Sequence, residues 1–474
     1  MTTETPQLSI REKLAYGLGD SAANFVAATQ GTFLLFFYTD VFGISAQSAG
    51  AILLWSRVVD AFNDPVVGAL ADRTSSRWGK YRPWILFTAL PLSLVLVLCY
   101  TTPNFDYTSK VVWAVVTYNL LMVAYAANNI PYCALSGVIT SDSDERTNLA
   151  SWRFLCAMLA TLVVTTCTMD LVAKLGRGDA AVGFQATAAL WGIVAFVCLV
   201  ATFFWTKERV TANPCHQSNV KQDVIDLVRN RPWVALFMLA TLITTHHALR
   251  GGTTLYYFQH FQKSPAVFEQ LSNFGLFNAV GLLVVMIGVV LSTPLSRRFG
   301  KRNVFQVCLL ISAALMASFA LVPRDSLAAL FALQIALQLA FGPTIPLLWS
   351  MMADVADYGE WKTGRRSTAL AFASIVFGLK LGGGIGGWLG GELLHLAGYR
   401  AHVAPSPEVL QTISRLISIY PALALFAGCA VLLFYGIDRP TELEMERSLE
   451  ERRLLEASPD AANPSVPSAD GIAG

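Results

Sequence analysis

Long apolar segments recur along the chain and restrict its fold more than any other feature of the sequence. About twelve of them are long enough to cross a bilayer as helices, which takes about 20 mostly apolar residues. They are Leu14–Tyr38, Ala46–Ala71, Pro83–Thr101, Val111–Leu135, Leu149–Val172, Phe184–Thr206, Trp233–Tyr257, Leu271–Pro294, Val304–Val322, Leu327–Met352, Ser367–Leu396 and Leu410–Ile437. Because 54% of the residues are hydrophobic and only 14% are charged, a soluble multidomain protein is excluded. The sequence predicts an all-α membrane protein.

Two of these segments contain residues at which transporter helices are often broken. The fourth holds Asn129-Ile130-Pro131, and the eleventh holds Gly382-Gly383-Gly384. A helix bundle tolerates such breaks where neighbouring groups or water satisfy the freed backbone. We expect interrupted helices at both places.

Lysine and arginine concentrate in alternate loops, and this asymmetry predicts the orientation of the chain. The rich loops contain Arg73, Arg77, Lys80, Arg82, Arg146, Lys207, Arg209, Lys221, Arg229, Arg231, Arg297, Arg298, Lys301, Arg302, Lys362, Arg365 and Arg366. Since loops rich in these residues stay in the cytoplasm, both termini are predicted to lie inside.

The longest predicted cytoplasmic connection divides the chain into two halves of six helices. The predicted units are residues 1–206, a linker at 207–232, residues 233–437, and a tail at 438–474 that begins as a short helix and ends in disorder. The loops after the second and the eighth segments end alike, in Gly79-Lys80-Tyr81-Arg82 and Gly300-Lys301-Arg302. Although basic loops also serve simply to orient helices, this match favours a duplication, and parallel repeats place a central substrate site between the halves.

Two carboxylates, Asp60 and Asp64, lie one helical turn apart inside the second apolar segment. Acids at this depth are costly unless they face a bundle interior or a water-filled cavity. One interpretation is that Asp60 forms a structural ion pair with Arg57. A single arginine cannot satisfy both acids, however, and Asn63 adds an amide oxygen, so the pattern favours a site for a proton or small cation.

Other functional classes find no support in the sequence. The net charge is +2, and no basic run suggests nucleic-acid binding. The eight cysteines are scattered singly along the chain, which predicts that they are small residues of the core. Motifs for a membrane enzyme or for a cofactor are missing from the sequence, so neither is predicted. A polar N-terminus before a long first segment predicts no cleaved signal.

Several motifs together resemble one transporter family. They are Tyr16-Gly17-x-Gly19-Asp20 with Asn24, Tyr38-Thr39-Asp40, Arg57-x-x-Asp60-Ala61-x-Asn63-Asp64-Pro65, Arg77-Trp78-Gly79-Lys80-x-Arg82-Pro83, Asn129-Ile130-Pro131-Tyr132 and Ala353-Asp354-x-x-Asp357-Tyr358-Gly359-Glu360. In this respect the chain resembles the glycoside-pentoside-hexuronide:cation symporters of the major facilitator superfamily, the group of the bacterial melibiose permease. The resemblance implies the twelve-helix major facilitator fold in the cytoplasmic (inner) membrane, with a sugar or glycoside and the lipid bilayer as partners and a monomer as the functional unit.

The resemblance assigns the coupling cation, H+ or Na+, to Asp60 and Asp64, with Asn63 close by. If the cation is Na+, Asp60 and Asp64 are the predicted metal ligands. A threonine that contributes in the permease corresponds here to Ala126, which removes one oxygen. Because sodium needs several oxygens and a proton needs one carboxylate, this departure favours a proton.

The resemblance also implies a sugar site formed by Asn24, Tyr125, Asn129, Arg153 and Lys380. The permease has aspartates where this chain has the two amides, which argues against melibiose itself and favours a pentoside or a hexuronide. Arg153 and Lys380 are expected to attract a uronate. Asn129 could instead satisfy the backbone before Pro131, and Arg153 could pair with acids near the cytoplasm.

Gating and coupling are assigned to Asp20, Arg57, Asp72 and Arg73. Asp20 is a candidate third acid of the cation site or a partner for Arg57 or Lys380. The resemblance places Asp72 and Arg73 in the cytoplasmic closure between helices 2 and 11.

A cluster of His246, His247 and Arg250 in the seventh segment suits either an extracytoplasmic gate or interfacial anchoring. The expected function is cation-coupled sugar symport by alternating access. Cation-coupled lysolipid transport on the same fold is the alternative, and it would require an apolar cleft.

Overall fold

The computed structural model describes residues 8–140, 143–209, 227–261, 267, 272–323, 326–363 and 368–457. Every element of regular secondary structure in these ranges is a helix, and loops connect the helices.

The first half of the chain forms six long helices. They are α1 Ile10–Phe36, which continues as a π-helical turn at Phe37–Val41, α2 Ala46–Arg73, α3 Arg82–Cys99, α4 Tyr107–Ile139, α5 Ser143–Gly176 and α6 Ala180–Trp205. Side-chain caps begin several of them: Ser9 accepts from the Glu12 backbone N–H, and Asp106 accepts from the backbone N–H groups of Thr108 and Ser109. The predicted break at Pro131 is absent, because α4 continues through it to Ile139.

The second half has the same pattern with two of its predicted segments divided. Its helices are α7 Arg231–Phe261, α8 Asn273–Phe299, α9 Lys301–Ser318 with a short 3-10 turn at Phe319–Leu321, α10 Leu327–Phe341, α11 Thr344–Thr363, α12 Thr368–Leu396, α13 Pro407–Ile417, α14 Ile419–Leu432 and α15 Arg439–Ala457. The tenth predicted segment is divided between α10 and α11, and the twelfth between α13 and α14, where the backbone of Ser418 leaves the helical region. The triple glycine of α12 does not interrupt its helix.

Within the described part of the chain, nine helical stretches are long and apolar enough to cross a membrane. The remaining three predicted segments coincide with α1, α2 and α12, which are 27, 28 and 29 residues long. These three helices carry Asp20, the pair Asp60 and Asp64, and Lys380. Four charged candidates of the site therefore lie on these three long helices.

The two halves meet along three pairs of helices. Helix α2 packs on α12, α1 on α7, and α5 on α8. Inside the first half α1 packs on α5 and α6, while in the second half α7 packs on α12 and α14. The centre of the molecule is therefore formed by α1 and α2 from one half and by α7 and α12 from the other.

The halves are held together at the side opposite the chain termini. Thr39 and Tyr256 share a hydrogen bond of 2.6 Å, and the hydroxyl of Tyr399 donates to Asp40 at 2.6 Å. The Ser272 N–H donates to Asp170 at 3.2 Å. The structure is therefore closed at this side, which the predicted orientation makes the extracytoplasmic one.

Charged clusters on the terminal side join elements within each half. In the first half, Arg209 pairs with Glu12 at 2.7 Å. In the second, Lys301 lies 2.7 Å from both Asp354 and Glu442. Glu442 belongs to α15, so the first part of the tail is a helix attached to its own half.

The contact between α2 and α12 at this closed side depends on glycine. A Cβ at Gly391 would collide with the Ala46 carbonyl, and a Cβ at Gly50 would lie 2.9 Å from the Trp388 carbonyl. Backbones approach this closely only where side chains are absent. The contact is therefore sensitive to a single methyl group.

We predict that Gly391→Ala opens the outer side. Overpacking of this kind costs about 1–3 kcal/mol, enough to shift the conformational balance severalfold or more. The measurement is labelling of a Gln30→Cys reporter by a membrane-impermeant thiol reagent from the extracytoplasmic side, corrected for the parent without the reporter. Gly383→Ala on the same helix is the matched control, since a Cβ there meets open space. Equal labelling in the two variants would contradict this interpretation.

Candidate functional site

Lys380 of α12 reaches across to the two acids of α2. Its Nζ lies 3.1 Å from Oδ2 of Asp60 and in direct hydrogen-bond contact with Oδ2 of Asp64. Asp60 is 1% exposed. These residues were predicted to belong to separate cation and sugar sites, and the structure brings them together into one cluster that joins the two halves.

Arg57 contributes less to this cluster than a structural ion pair would require. Its Nη1 lies 3.9 Å from Asp60 Oδ2, farther than the lysine. Apart from the ion pairs, both oxygens of Asp60, Oδ1 of Asp64 and Nδ2 of Asn63 are buried without a hydrogen-bond partner among the described residues. Buried polar atoms rarely stay unsatisfied, so the three carboxylate oxygens, which are acceptors, have capacity for a proton or a small cation. The amide Nδ2 of Asn63 is a donor and does not add to this capacity.

The described part of the chain lacks a cluster of side chains typical of a metal site. No group of three or more His, Cys, Asp or Glu residues there is arranged to hold an ion. Sodium would have to combine Asp60 and Asp64 with the side-chain oxygen of Asn63, with backbone carbonyls or with water. Ala126, at the position of the family threonine, is buried and offers no side-chain oxygen.

A second charged pair lies inside the first half. Nε of Arg153 on α5 lies 3.1 Å from Oδ2 of Asp20 on α1, and its guanidinium also lies 5.6 Å from the centre of the Tyr132 ring. Asp20 is 7% exposed. The partner of Asp20 is therefore Arg153, not Arg57 or Lys380, the two partners that the sequence analysis considered.

The two amides of the predicted sugar site lie close to these charges. Asn24 donates to the Asp20 carbonyl at 2.8 Å and accepts from Thr161 at 3.3 Å. Asn129 donates to the Tyr125 hydroxyl at 2.9 Å. Cys133 donates to Asn129 at 3.4 Å. These bonds of Asn129 go to side chains, not to the backbone before Pro131.

A cavity of about 390 Å³ lies between the halves. Of the predicted site residues, only Arg57 lines it. The other polar residues that line the cavity were not predicted from the sequence to bind substrate. They are Gln30, Thr32, Tyr118, Thr244 and His247. Residues of both halves line the cavity, as expected for a site between two repeats.

Tyr118 could have been found from spacing alone. It precedes Tyr125 by seven residues and Asn129 by eleven, so all three lie on one face of α4. Gln30 and Thr244 gave no such signal, because single amides and hydroxyls are common in membrane helices.

Asp72 and Arg73, the residues predicted for cytoplasmic closure, lie at the end of α2. Arg73 is exposed there. The side chain of Asp72 lies outside the described residues, so its role stays a prediction.

Comparisons with known proteins agree on one family. The family model described as "MFS/sugar transport protein" matches residues 15–439. The chain is 37% identical to the "Putative glycoside/cation symporter YagG" of Escherichia coli (strain K12), over 96% of this chain and 98% of that protein. It is 34% identical to the "Isoprimeverose transporter" of Lactiplantibacillus pentosus, over 94% and 92%.

A solved structure with the same architecture is that of a bacterial homologue of the human lysosomal transporter Spinster in an inward-facing, occupied conformation. Its TM-score is 0.66 at 12% identity, covering 90% of this chain and 96% of that one. At this identity the likeness establishes the major facilitator fold alone.

We predict that the pair of Asp20 and Arg153 stabilises the first half through charge compensation. Removing one partner of a buried pair leaves the other uncompensated, at a cost of roughly 3–5 kcal/mol. Asp20→Asn and Arg153→Gln should each lower the unfolding temperature of the purified protein, and the double variant should recover part of the loss. Strictly additive losses would exclude direct coupling between the two side chains.

Proposed function

Because this chain belongs to the glycoside-pentoside-hexuronide:cation symporters of the major facilitator superfamily, we propose that it takes up a glycoside, pentoside or hexuronide together with a cation. Uptake proceeds by alternating access across the cytoplasmic membrane. The relatives are named as sugar symporters and transporters, which supports this substrate class over the lysolipid alternative.

The placement of Lys380 between Asp60 and Asp64 supports cation coupling. The lysine belongs to one half and the acids to the other. An external cation that binds the acids must displace or weaken the lysine contact. Cation binding and the contact between the halves are therefore linked, which is the condition that symport requires.

A proton is the coupling cation in this proposal, with Na+ as the alternative. Lys380 already supplies one positive charge to the two acids, so there is little room for a metal ion with its several oxygen ligands. A proton on Asp64 neutralises one acid and weakens its attraction to Lys380. The buried oxygen Oδ1 of Asp64 has no hydrogen-bond partner among the described residues and offers a place for that proton.

The sugar binds in the central cavity beside the face of α4 that carries Tyr118, Tyr125 and Asn129. The cavity is bordered by a mixture of hydroxyl, amide and aromatic groups. Amides both donate and accept hydrogen bonds, which suits sugar hydroxyls. Alternating access then requires the outer contact of α2 with α12 to open and close around this cavity.

We predict that Asp64→Asn abolishes uphill accumulation and leaves downhill sugar exchange largely intact, because the variant keeps the shape of the site and loses the titrating group. The measurement compares accumulation with counterflow in membrane vesicles, using labelled xylosides, glucuronides and galactosides. Asp106→Asn is the control, since it makes the same chemical change at a helix cap and asparagine also caps well. Full accumulation by both Asp60→Asn and Asp64→Asn would refute the assignment.

Proton coupling has a direct readout. Adding a transported sugar to de-energised vesicles in lightly buffered, sodium-free medium should make the medium more alkaline, because protons enter with the sugar. The change should disappear in Asp64→Asn. Sugar entry that requires sodium and leaves the external pH constant would instead assign the site to Na+.

A further inference from the structure

A second, smaller polar cavity lies inside the C-terminal half. It has a volume of about 130 Å³ and is enclosed by α7, α8 and α10. Its polar walls include His246, His247, Arg250, Asn278, Gln334 and Gln338. From the sequence, the first three of these residues are predicted to form either a gate or an interfacial anchor.

Arg250 is a buried cation whose described partners are uncharged. It is 9% exposed, and its Nη2 donates to Gln334 Oε1 at 2.8 Å. Its guanidinium lies 4.6 Å from the ring centre of Phe319 and 5.8 Å from that of Phe277. Among the described residues, no carboxylate forms an ion pair with it. A buried charge without a counter-charge is costly, and an anionic ligand would remove that cost.

His246 provides a second and independent indication of a ligand. It is 4% exposed, and both of its ring nitrogens are buried without a hydrogen-bond partner among the described residues. The ring of His247 lies beside it, with centroids 4.7 Å apart. A neutral imidazole has one N–H to donate, so the pair can add to the donors of the guanidinium.

The small cavity borders the central one. His247 and Gly251 line both of them. A sugar in the central cavity can therefore extend a substituent toward Arg250 past these two residues. Glycine at position 251 leaves this border without a side chain.

The cations that the resemblance assigned to a uronate are already compensated. Lys380 pairs with Asp60 and Asp64, and Arg153 pairs with Asp20. A substrate carboxylate would have to compete with these acids. At Arg250, no acid in the described part of the chain would compete with a substrate carboxylate.

We propose that Arg250, with His246 and His247, forms an anion subsite that binds the carboxylate of a hexuronide whose sugar ring lies in the central cavity. The guanidinium and the imidazole N–H groups donate to the carboxylate oxygens, and Gln334 holds the guanidinium in place. This proposal rests on the proposed sugar transport and deepens it, since it selects acidic sugars over neutral ones.

The test uses three ligands that differ only at the fifth carbon of the sugar ring: 4-nitrophenyl β-D-glucuronide, β-D-glucoside and β-D-xyloside. Their affinities for the purified full-length protein are measured by tryptophan fluorescence. Arg250→Gln should weaken glucuronide binding on the order of 10- to 100-fold and leave the two neutral glycosides within about twofold. Arg250→Lys should restore much of the glucuronide affinity. Arg302→Gln, which removes an arginine near the end of the bundle, is the control.

Retained binding of the neutral glycosides shows that the Arg250→Gln protein is folded. If that variant does not fold, His246→Gln serves in its place, because its side chain lines the small cavity and not the central one, and it should weaken glucuronide binding selectively. An equal loss for all three ligands would overturn the subsite, as would a wild type that binds the neutral glycosides but not the glucuronide. The second result would leave the proposed sugar transport standing.

Two further outcomes also count against the subsite. If chloride supports binding of the neutral glycosides in the wild type but not in Arg250→Gln, the cavity holds a free inorganic anion and not the substrate carboxylate. If the wild type binds none of the three ligands and transports none of the labelled xylosides, glucuronides and galactosides, the proposed function is wrong. The subsite proposal, which rests on it, is then wrong as well.

Discussion

The ammonium group of Lys380, held between Asp60 and Asp64, is the interaction on which the contact between the two halves depends most. Separating α2 from α12 at this level would leave two carboxylates and one ammonium in a medium of low dielectric constant. Unpaired ions at such depth cost several kcal/mol each. The halves can therefore move apart here only when something else compensates the acids. A proton or small cation meets that requirement, so the same electrostatics that stabilise the interface make its motion depend on the coupling ion.

Helix α12 can serve this purpose because glycines line its contacts with helices of both halves. Toward α7, a Cβ at Gly382 or Gly386 would clash with carbonyls at Thr241 and Thr245. Toward α2, the close contact is formed by Gly391 and Gly50. Small residues let backbones approach without interlocking side chains, so neighbouring helices can shift relative to each other. Lys380 is thus a long charged side chain on a helix whose glycine contacts otherwise allow it to shift against α2 and α7.

Much of the fold was predictable because the signals are local. Segment hydropathy located the helices, and the four-residue spacing of Asp60 and Asp64 placed both acids on one helix face. The interrupted helices predicted at Pro131 and at the triple glycine were wrong, since α4 and α12 pass through both places. Helical packing around a residue, which local sequence does not encode, decides whether such a break occurs.

The partners of the charged residues could not be predicted in the same way. Lys380 and Asp64 are 316 positions apart, and Asp20 and Arg153 lie on different helices. Periodicity shows which residues share a face of one helix, but it does not show which helices are neighbours. For this reason the charged residues of the site could be identified from the sequence, but two of its cations, Lys380 and Arg153, were predicted to bind the substrate. In the structure these cations compensate acids of the protein.

This redistribution of charge links the two proposals. With Asp60 and Asp64 ionised, the centre of the bundle holds two acids that are compensated chiefly by Lys380, with Arg57 at 3.9 Å, and Arg250 remains without an acidic partner among the described residues. Protonation of Asp64 adds a positive charge to the central region and makes an anionic substrate more favourable there. A hexuronide carboxylate bound at Arg250 then offsets the charge of the incoming proton. One proton and one such anion cross the membrane with no net charge, so their uptake is driven by the pH gradient and not by the membrane potential. A neutral glycoside that enters with one proton carries a positive charge and is driven by both.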